Sequence, residues 1–248
     1  ERTELGAKDP RPMRGHAVRI DLTADGVRFV TTRPADGKPE KTLGLKTSSF
    51  LAEHKCQVAI NGSAFTPVRA DEGQEQDIDG LHVSAGAVVS KGNGKYDALL
   101  IAKDNKAWVA RPPFELKNVH HAVGGFQIVL ENGNVPEKLP DYNKGTVHPR
   151  SAAGISKDGK ALFLLVIDGR QDGFSEGATI QEVGGWLKKL GAADGINLDG
   201  GGTTTLVVEA GGRPKVLNRP IHANKPGTER VSGSHLGVFA KPLAPPKP

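Results

Sequence analysis

Asp199 is followed by three glycines and three threonines, Gly200–Thr205, and the whole run sits between the apolar stretches "GINL" and "LVV". Asp and Gly are poor strand and helix formers, and each Gly loses more backbone entropy on folding than other residues. Concentrating that cost in one turn fits close approach of a ligand. Asp199 would supply a carboxylate, the N–H groups of Gly200, Gly201 and Gly202 an anion-binding nest, and Thr203 a hydroxyl. A tight β-hairpin with Gly for geometry alone is the plainer alternative. Three more clusters carry comparable chemistry. In "VHPRSAAG", Pro149 stiffens the chain between His148 and Arg150 at a strand entrance, although a strand start with solvated charges would look the same. In "VIDGRQDG", Asp168 and Arg170 leave an apolar run, where strand ends commonly present ligand groups. In "VAINGSAF", Asn61 ends a strand. With Arg230, these give four basic groups and two or three carboxylates. Arginine forks grip phosphate oxygens, and carboxylates act as nucleophile, acid or base at an anomeric carbon.

The elements that must position these groups are short. "HAVRIDLTADGVRFVTTRP" reads as a hairpin turned at Asp25-Gly26, and "RSAAGISKDGKALFLLVIDGR" as a second, turned at Asp158-Gly159. Ala161–Ile167 is apolar throughout, which predicts a central strand buried on both faces. "KTSSFLAEHKC" predicts a short helix with a Ser or Thr cap. "TIQEVGGWLKKLG" predicts a second, with Ile180, Val183, Leu187 and Leu190 on one face and Gly191 as the stop. In it, Glu182 stands three residues after Thr179 and completes a capping box, a structural role that competes with a catalytic one. Strands dominate, helices are few, and no βαβ rhythm repeats. The expected fold is α+β, a single domain with a mixed β-sheet spanning 15–241, a flexible segment 1–14 and a disordered Pro-rich tail 242–248.

Composition narrows the function. The net charge of +5 and pI near 9.3 favour an anionic partner. Lys and Arg are scattered without a basic stripe, so nucleic acid is not expected. The single cysteine, Cys56, precludes an intramolecular disulfide and a Cys-based zinc site. No run of eighteen apolar residues is present, so no membrane span is expected.

The segments "AINGSAF", "GGFQIVLENG", "HPRSAAG", "IDGRQDGFSEGATIQEV" and "LKKLGAADGINLDGGGTTTLVV", in this order, resemble the phosphodiester glycosidase family, most specifically from His148 to Val208. The resemblance implies hydrolysis of the C1–O bond in a sugar-1-phosphodiester of the N-acetylglucosamine type, releasing free sugar and a phosphomonoester. It also implies a site drawing on Asn61, His148, Arg150, Asp168, Arg170, Glu182, Asp199 and Gly200–Gly202, with Arg219 and Arg230 near its C-terminal end. Within that reading, Arg150, Arg170 and the glycine-turn N–H groups take the phosphate. Asp199 or Asp168 serves the anomeric centre, and His148 moves a proton. The resemblance points to no particular cofactor and is compatible with a divalent cation. The partner is a sugar-phosphate or a cell-envelope glycan; oligomeric state is not specified. The chain opens on Glu1 and is read as a processed product exported to the periplasm or beyond. Gly184-Gly185 departs from the family's helix and suggests close packing there. Two other readings start from the same residues. One is a non-catalytic module that binds an envelope glycan or teichoic-acid-like polymer. The other is an actin-like sugar kinase, in which "LDGGGTTTLVV" forms a phosphate-gripping hairpin.

Overall fold

The computed structural model describes residues 2–3, 11–139 and 145–241. Its elements are short because the sequence breaks every apolar run with Gly, Asn or Asp within a few residues. The result is mostly β structure with two α-helices, α1 (Thr47–His54) and α2 (Ile180–Leu190). Three five-stranded sheets dominate. The first runs in spatial order Gln127–Leu130, Ala192–Asn197, Arg150–Ser156, Ala161–Ile167, Gly15–Asp21. The second runs Arg213–Val216, Leu206–Ala210, Val58–Asn61, His235–Phe239, Arg28–Thr31. The third runs Ala87–Lys91, Leu81–Ser84, Val119–Gly124, Ala98–Ala102, Ala107–Ala110.

All the strand ladders in these sheets are antiparallel, so the expected mixed sheet is not formed. Parallel neighbours need long crossovers, usually helical, and two helices supply too few. The α+β label therefore fits only loosely.

Side-chain alternation explains how three sheets share one core. Along Ala161–Ile167, Leu162, Leu164 and Val166 point into a central cluster with Val58, Ile60, Leu99, Ile101, Val123, Leu236 and Val238. The intervening Phe163, Leu165 and Ile167 pack under α2 with Ile180, Val183 and Leu187. This is the doubly buried strand expected from its composition. Alternate residues of the second sheet, Val30, Ala59 and Val207, meet Phe50 and Leu51 of α1. The third sheet turns Leu81, Val83, Leu100 and Ala122 outward to Trp108, Phe114 and Leu116, with no helix of the described residues over them.

Between the second and third sheets lies a buried polar layer. His82 contacts the Thr32 carbonyl at 2.9 Å and Ser234 Oγ at 3.2 Å, while His121 and His235 meet the hydroxyls of Thr31 and Thr32 at 3.0 Å. Burial pushes His82 and His121 down to about 4 and His235 to about 3, so all three are neutral at neutral pH.

Several local expectations change. The hairpin at Asp158-Gly159 forms, with Arg150 opposite Ile167. The one at Asp25-Gly26 does not: Gly15–Asp21 pairs with Ala161–Ile167, and Arg28–Thr31 with His235–Phe239. The turn is present, but each arm finds a more apolar partner in a different sheet. Helix α1 begins after Lys46 with no Ser or Thr cap. Glu229 instead reaches from the far side of the chain to Ser48 N–H at 3.0 Å and Ser48 Oγ at 2.6 Å. Residues 11–14, expected in the flexible segment, pack on the domain: Arg11 pairs with Glu182, and Met13 is buried against Trp186. The tail 242–248 and most of the first ten residues lie outside the described residues.

Helix α2 has its capping box, with Thr179 and Glu182 exchanging bonds of 3.2 and 2.8 Å. Its Gly184 is dictated by packing, since a Cβ there would lie 2.2 Å from the Val129 carbonyl oxygen. Helix propensity alone favours Gly184→Ala by about 1 kcal/mol. We expect the substitution to destabilise by about 1–3 kcal/mol instead, because the helix must lift off the sheet. Chemical denaturation checks this, and a stabilised variant would refute the close packing.

Candidate active site

The end of Ala192–Asn197, the start of Arg150–Ser156 and the end of Ala161–Ile167 fall on one edge of the first sheet, because these strands are antiparallel neighbours. The end of Val58–Asn61 in the second sheet meets that edge. Asn61 makes the joint. It is fully buried and donates to the Asp199 carbonyl at 2.7 Å. Its Oδ1 accepts from Ser151 Oγ at 2.7 Å and from Thr205 N–H at 3.1 Å. Both ends of the amide are thus engaged in the protein, and Asn61 holds the glycine turn in place.

The glycines follow from the same crowding. Residues Gly201–Thr203 form a 3₁₀ turn that carries the chain from the first sheet to the second, so "LDGGGTTTLVV" is neither a tight hairpin nor a kinase phosphate hairpin. A Cβ on Gly200 would sit 2.7 Å from the Pro149 carbonyl oxygen. On Gly201 it would meet the Arg170 guanidinium at 3.1 Å, and on Gly202 that of Arg230 at 2.5 Å. Two arginines thus lie flat on the turn. The expected N–H nest is largely consumed internally: Gly200 N–H donates to Asp199 Oδ1, Gly201 N–H to Pro149, Thr203 N–H to Gly200 and Thr204 N–H to Gly201. The glycines serve the approach of the guanidiniums more than direct anion binding.

Pro149 is held from the other side by the Asp-Gly-Arg turn. A Cβ on Gly169 would lie 2.5 Å from Pro149 N, and Gly177 packs on His148 in the same way. This sets the His148 ring beside Arg170, with Nδ1 to Nη2 at 3.4 Å. Arg170 itself adopts φ +57°, a left-handed conformation costing an ordinary side chain about 1–2 kcal/mol. Its head is exposed, over Gly201. Arg230 Nη1 donates to Thr203 Oγ1 at 3.2 Å and its Nε to His222 Nδ1 at 3.1 Å.

The electrostatics are lopsided. Asp199 is hemmed in by protein and keeps only part of its surface open. Burial raises its pKa to about 6, against the pull of the Thr203 hydroxyl, the Arg230 charge and the Gly200 N–H. The charge of Asp79 adds to the rise, and Asp79 is itself raised by burial and by Asp77. Burial lowers His148, helped by Arg150 and Arg170, which keeps the ring neutral at neutral pH. Burial also lowers Arg230, with Arg170 adding to it while Asp199 opposes. The guanidiniums of Arg170 and Arg230 therefore lie on the turn beside a carboxyl that burial makes easier to protonate.

The other expected residues stand apart from this face. Arg150 is buried, donates from Nε to Ala178 O at 2.9 Å and from Nη2 to Thr146 O at 3.1 Å, and is pushed down to about 10 by burial, which leaves it charged. It acts as a strut behind His148. Asp168 is buried and accepts at Oδ1 from Asn218 at 3.0 Å and Arg219 N–H at 2.9 Å. That anchors the loop beneath Arg170. Glu182 is spent on the α2 cap and on Arg11. Nothing in the sequence singles out Asp79, in "QDIDG", or His222, in its two-residue strand; only the fold brings them to Asp199 and Arg230. Among the described residues, no group of three His, Cys, Asp or Glu side chains is placed to hold a metal ion.

Releasing the strain at residue 170 separates function from stability. Arg170→Gly relieves the left-handed cost while loosening the unfolded chain, so stability should change by less than about 1 kcal/mol. Turnover should fall about 100-fold or more with the loss of a charge-stabilising donor. Parallel melting and rate measurements check this; equal loss of both would make Arg170 a structural residue.

The model of the phosphodiester glycosidase family matches residues 54–239. Among solved structures, the chain is similar to the catalytic domain of zebrafish N-acetylglucosamine-1-phosphodiester α-N-acetylglucosaminidase, auto-inhibited by its pro-peptide. That similarity has a TM-score of 0.65 and 20% identity, covering 95% of this chain and 86% of that one. A Burkholderia pseudomallei protein named as a candidate exported protein gives 0.65 and 16% identity, over 91% of this chain and 74% of that one. A Synechocystis protein gives 0.64 and 13%, over 94% and 59%. Identities this low carry the fold alone. No curated protein matches the sequence significantly. With the family's pattern running through residues 54–239, well over half the chain, the protein belongs to the phosphodiester glycosidase family.

Proposed function

We propose that the protein hydrolyses the C1–O bond of a sugar-1-phosphodiester, of the N-acetylglucosamine type, outside the cytoplasm. The observation that carries this is the pairing of Arg170 and Arg230 over Gly201 and Gly202 beside the raised carboxyl of Asp199. A phosphodiester leaves as a weakly basic anion, so the larger task is to hold negative charge on the departing phosphate and positive charge at the sugar. Arg170 and Arg230 take the phosphate oxygens, with Arg150 supporting His148 from behind. Ionised Asp199 faces the anomeric carbon. As C1–O breaks, the bonding pair goes to the phosphate oxygen and a water oxygen joins C1. The water proton passes to Asp199, or to the neutral His148 ring. The chain's basic charge suits an anionic envelope substrate, and export suits such a partner.

The test is release of free N-acetylglucosamine from a UDP-linked or p-nitrophenyl phosphodiester of α-N-acetylglucosamine. The wild type should release sugar, and Asp199→Asn should lose about 100-fold or more. Because Asp199 works ionised, kcat/KM should climb as pH rises through about 6 and level off above it. That limb should be missing from the residual rate of Asp199→Asn. Binding of several sugar phosphodiesters by folded protein without any product would favour the non-catalytic module.

A further inference from the structure

The outer faces of the first two sheets are covered by α2 and α1, but among the described residues no helix covers the outer face of the third. Over that face lies a cavity of about 910 Å³. Its floor is Trp108, half-buried, which pairs across the ladder with Leu100 and so shares the outward side of the sheet. No protein acceptor among the described residues takes its indole N–H. Lys106, just before the strand Ala107–Ala110, also lines the cavity. Lys103 comes from the same turn, Lys117 from the segment before the neighbouring strand and His120 from that strand, Val119–Gly124. The three lysines are exposed and none forms an ion pair among the described residues. The only acid in the lining, Asp104, is bonded to the Lys106 N–H of its own turn at 3.2 Å.

An aromatic plate with a free N–H presents a flat apolar surface and one donor, which suits the C–H face of a sugar ring. Unpaired ammonium groups around it select negative charge on the same ligand. We infer that this cavity is a second binding site, separate from the Asp199 face, for an acidic glycan whose sugar rings stack on Trp108 while Lys103, Lys106 and Lys117 hold its anionic groups. Through it the protein is held along a polymer while the Asp199 face works on a different segment.

The protein has two tryptophans, so Trp186→Phe leaves Trp108 as the single indole reporter. In that variant, a short oligogalacturonate should give a saturable change in emission that weakens as salt is raised. Maltohexaose, which lacks charge, and inorganic polyphosphate, which lacks rings, should each bind about tenfold more weakly or worse. Lys103→Gln/Lys106→Gln/Lys117→Gln, all exposed positions, should leave melting unchanged and weaken oligogalacturonate binding about tenfold or more. Adding Arg170→Gly should leave the binding intact, which separates this site from the phosphodiester face. No emission change at millimolar oligogalacturonate would overturn the inference. So would an equal response to polyphosphate, undiminished binding in the lysine variant, or a response to single-stranded RNA alone.

Discussion

The amide of Asn61 ties together two sheets that share no strand ladder. Its three bonds, to Ser151 of the first sheet and to the backbone of Asp199 and Thr205 on either side of the glycine turn, fix that turn in space. A buried amide with every partner in place adds modest net stability, but any partner left unpaired costs about 1–3 kcal/mol. The Asn61 joint is therefore a geometric constraint before it is a source of energy. It sets where Asp199 leaves the first sheet, and hence where Thr203 and the two guanidiniums meet it.

Crowding does the rest. Pro149 is trapped between Gly169 and Gly200, so the His148 ring and the Arg170 head are placed by backbone contacts rather than by long flexible side chains. The glycine at each contact point is a requirement of volume. Burial then raises the carboxyl of Asp199 and suppresses protonation of His148, while Arg150 keeps its charge. A surplus of positive charge beside a poised carboxyl is stable on its own only because part of the site remains open to water. It is best balanced by an anion.

Much of this was legible in the sequence wherever the determinant is local. The α2 helix follows from Thr179, Glu182 and the apolar face of Ile180, Val183 and Leu187, while Leu190, expected on the same face, is exposed. The doubly buried strand follows from seven consecutive apolar residues. The break between two apolar strands at Asp199–Thr203 follows from its run of glycines. What sequence could not supply was partnership over distance. Gly15–Asp21 and Arg28–Thr31 look like a hairpin, yet their better partners lie more than a hundred residues away. The α1 cap comes from Glu229, far along the chain. Within the site, Asn61, Arg150, Asp168 and Glu182 are engaged by the protein's own bonds, while Asp168 Oδ2 and Glu182 Oε1 take none among the described residues. Asp79 and His222 acquire meaning only from the residues the fold sets beside them.

The central claim is that the sugar carbon, not the phosphorus, is the centre attacked. The direct measurement is hydrolysis of an N-acetylglucosamine phosphodiester in ¹⁸O-labelled water, with mass spectrometry of the sugar and ³¹P spectroscopy of the phosphomonoester. The account predicts the label in the hemiacetal oxygen of the sugar, scored before exchange, and an unlabelled phosphate. Label on the phosphate would mean that the P–O bond breaks, and that the roles given to Asp199 and the two arginines are wrong.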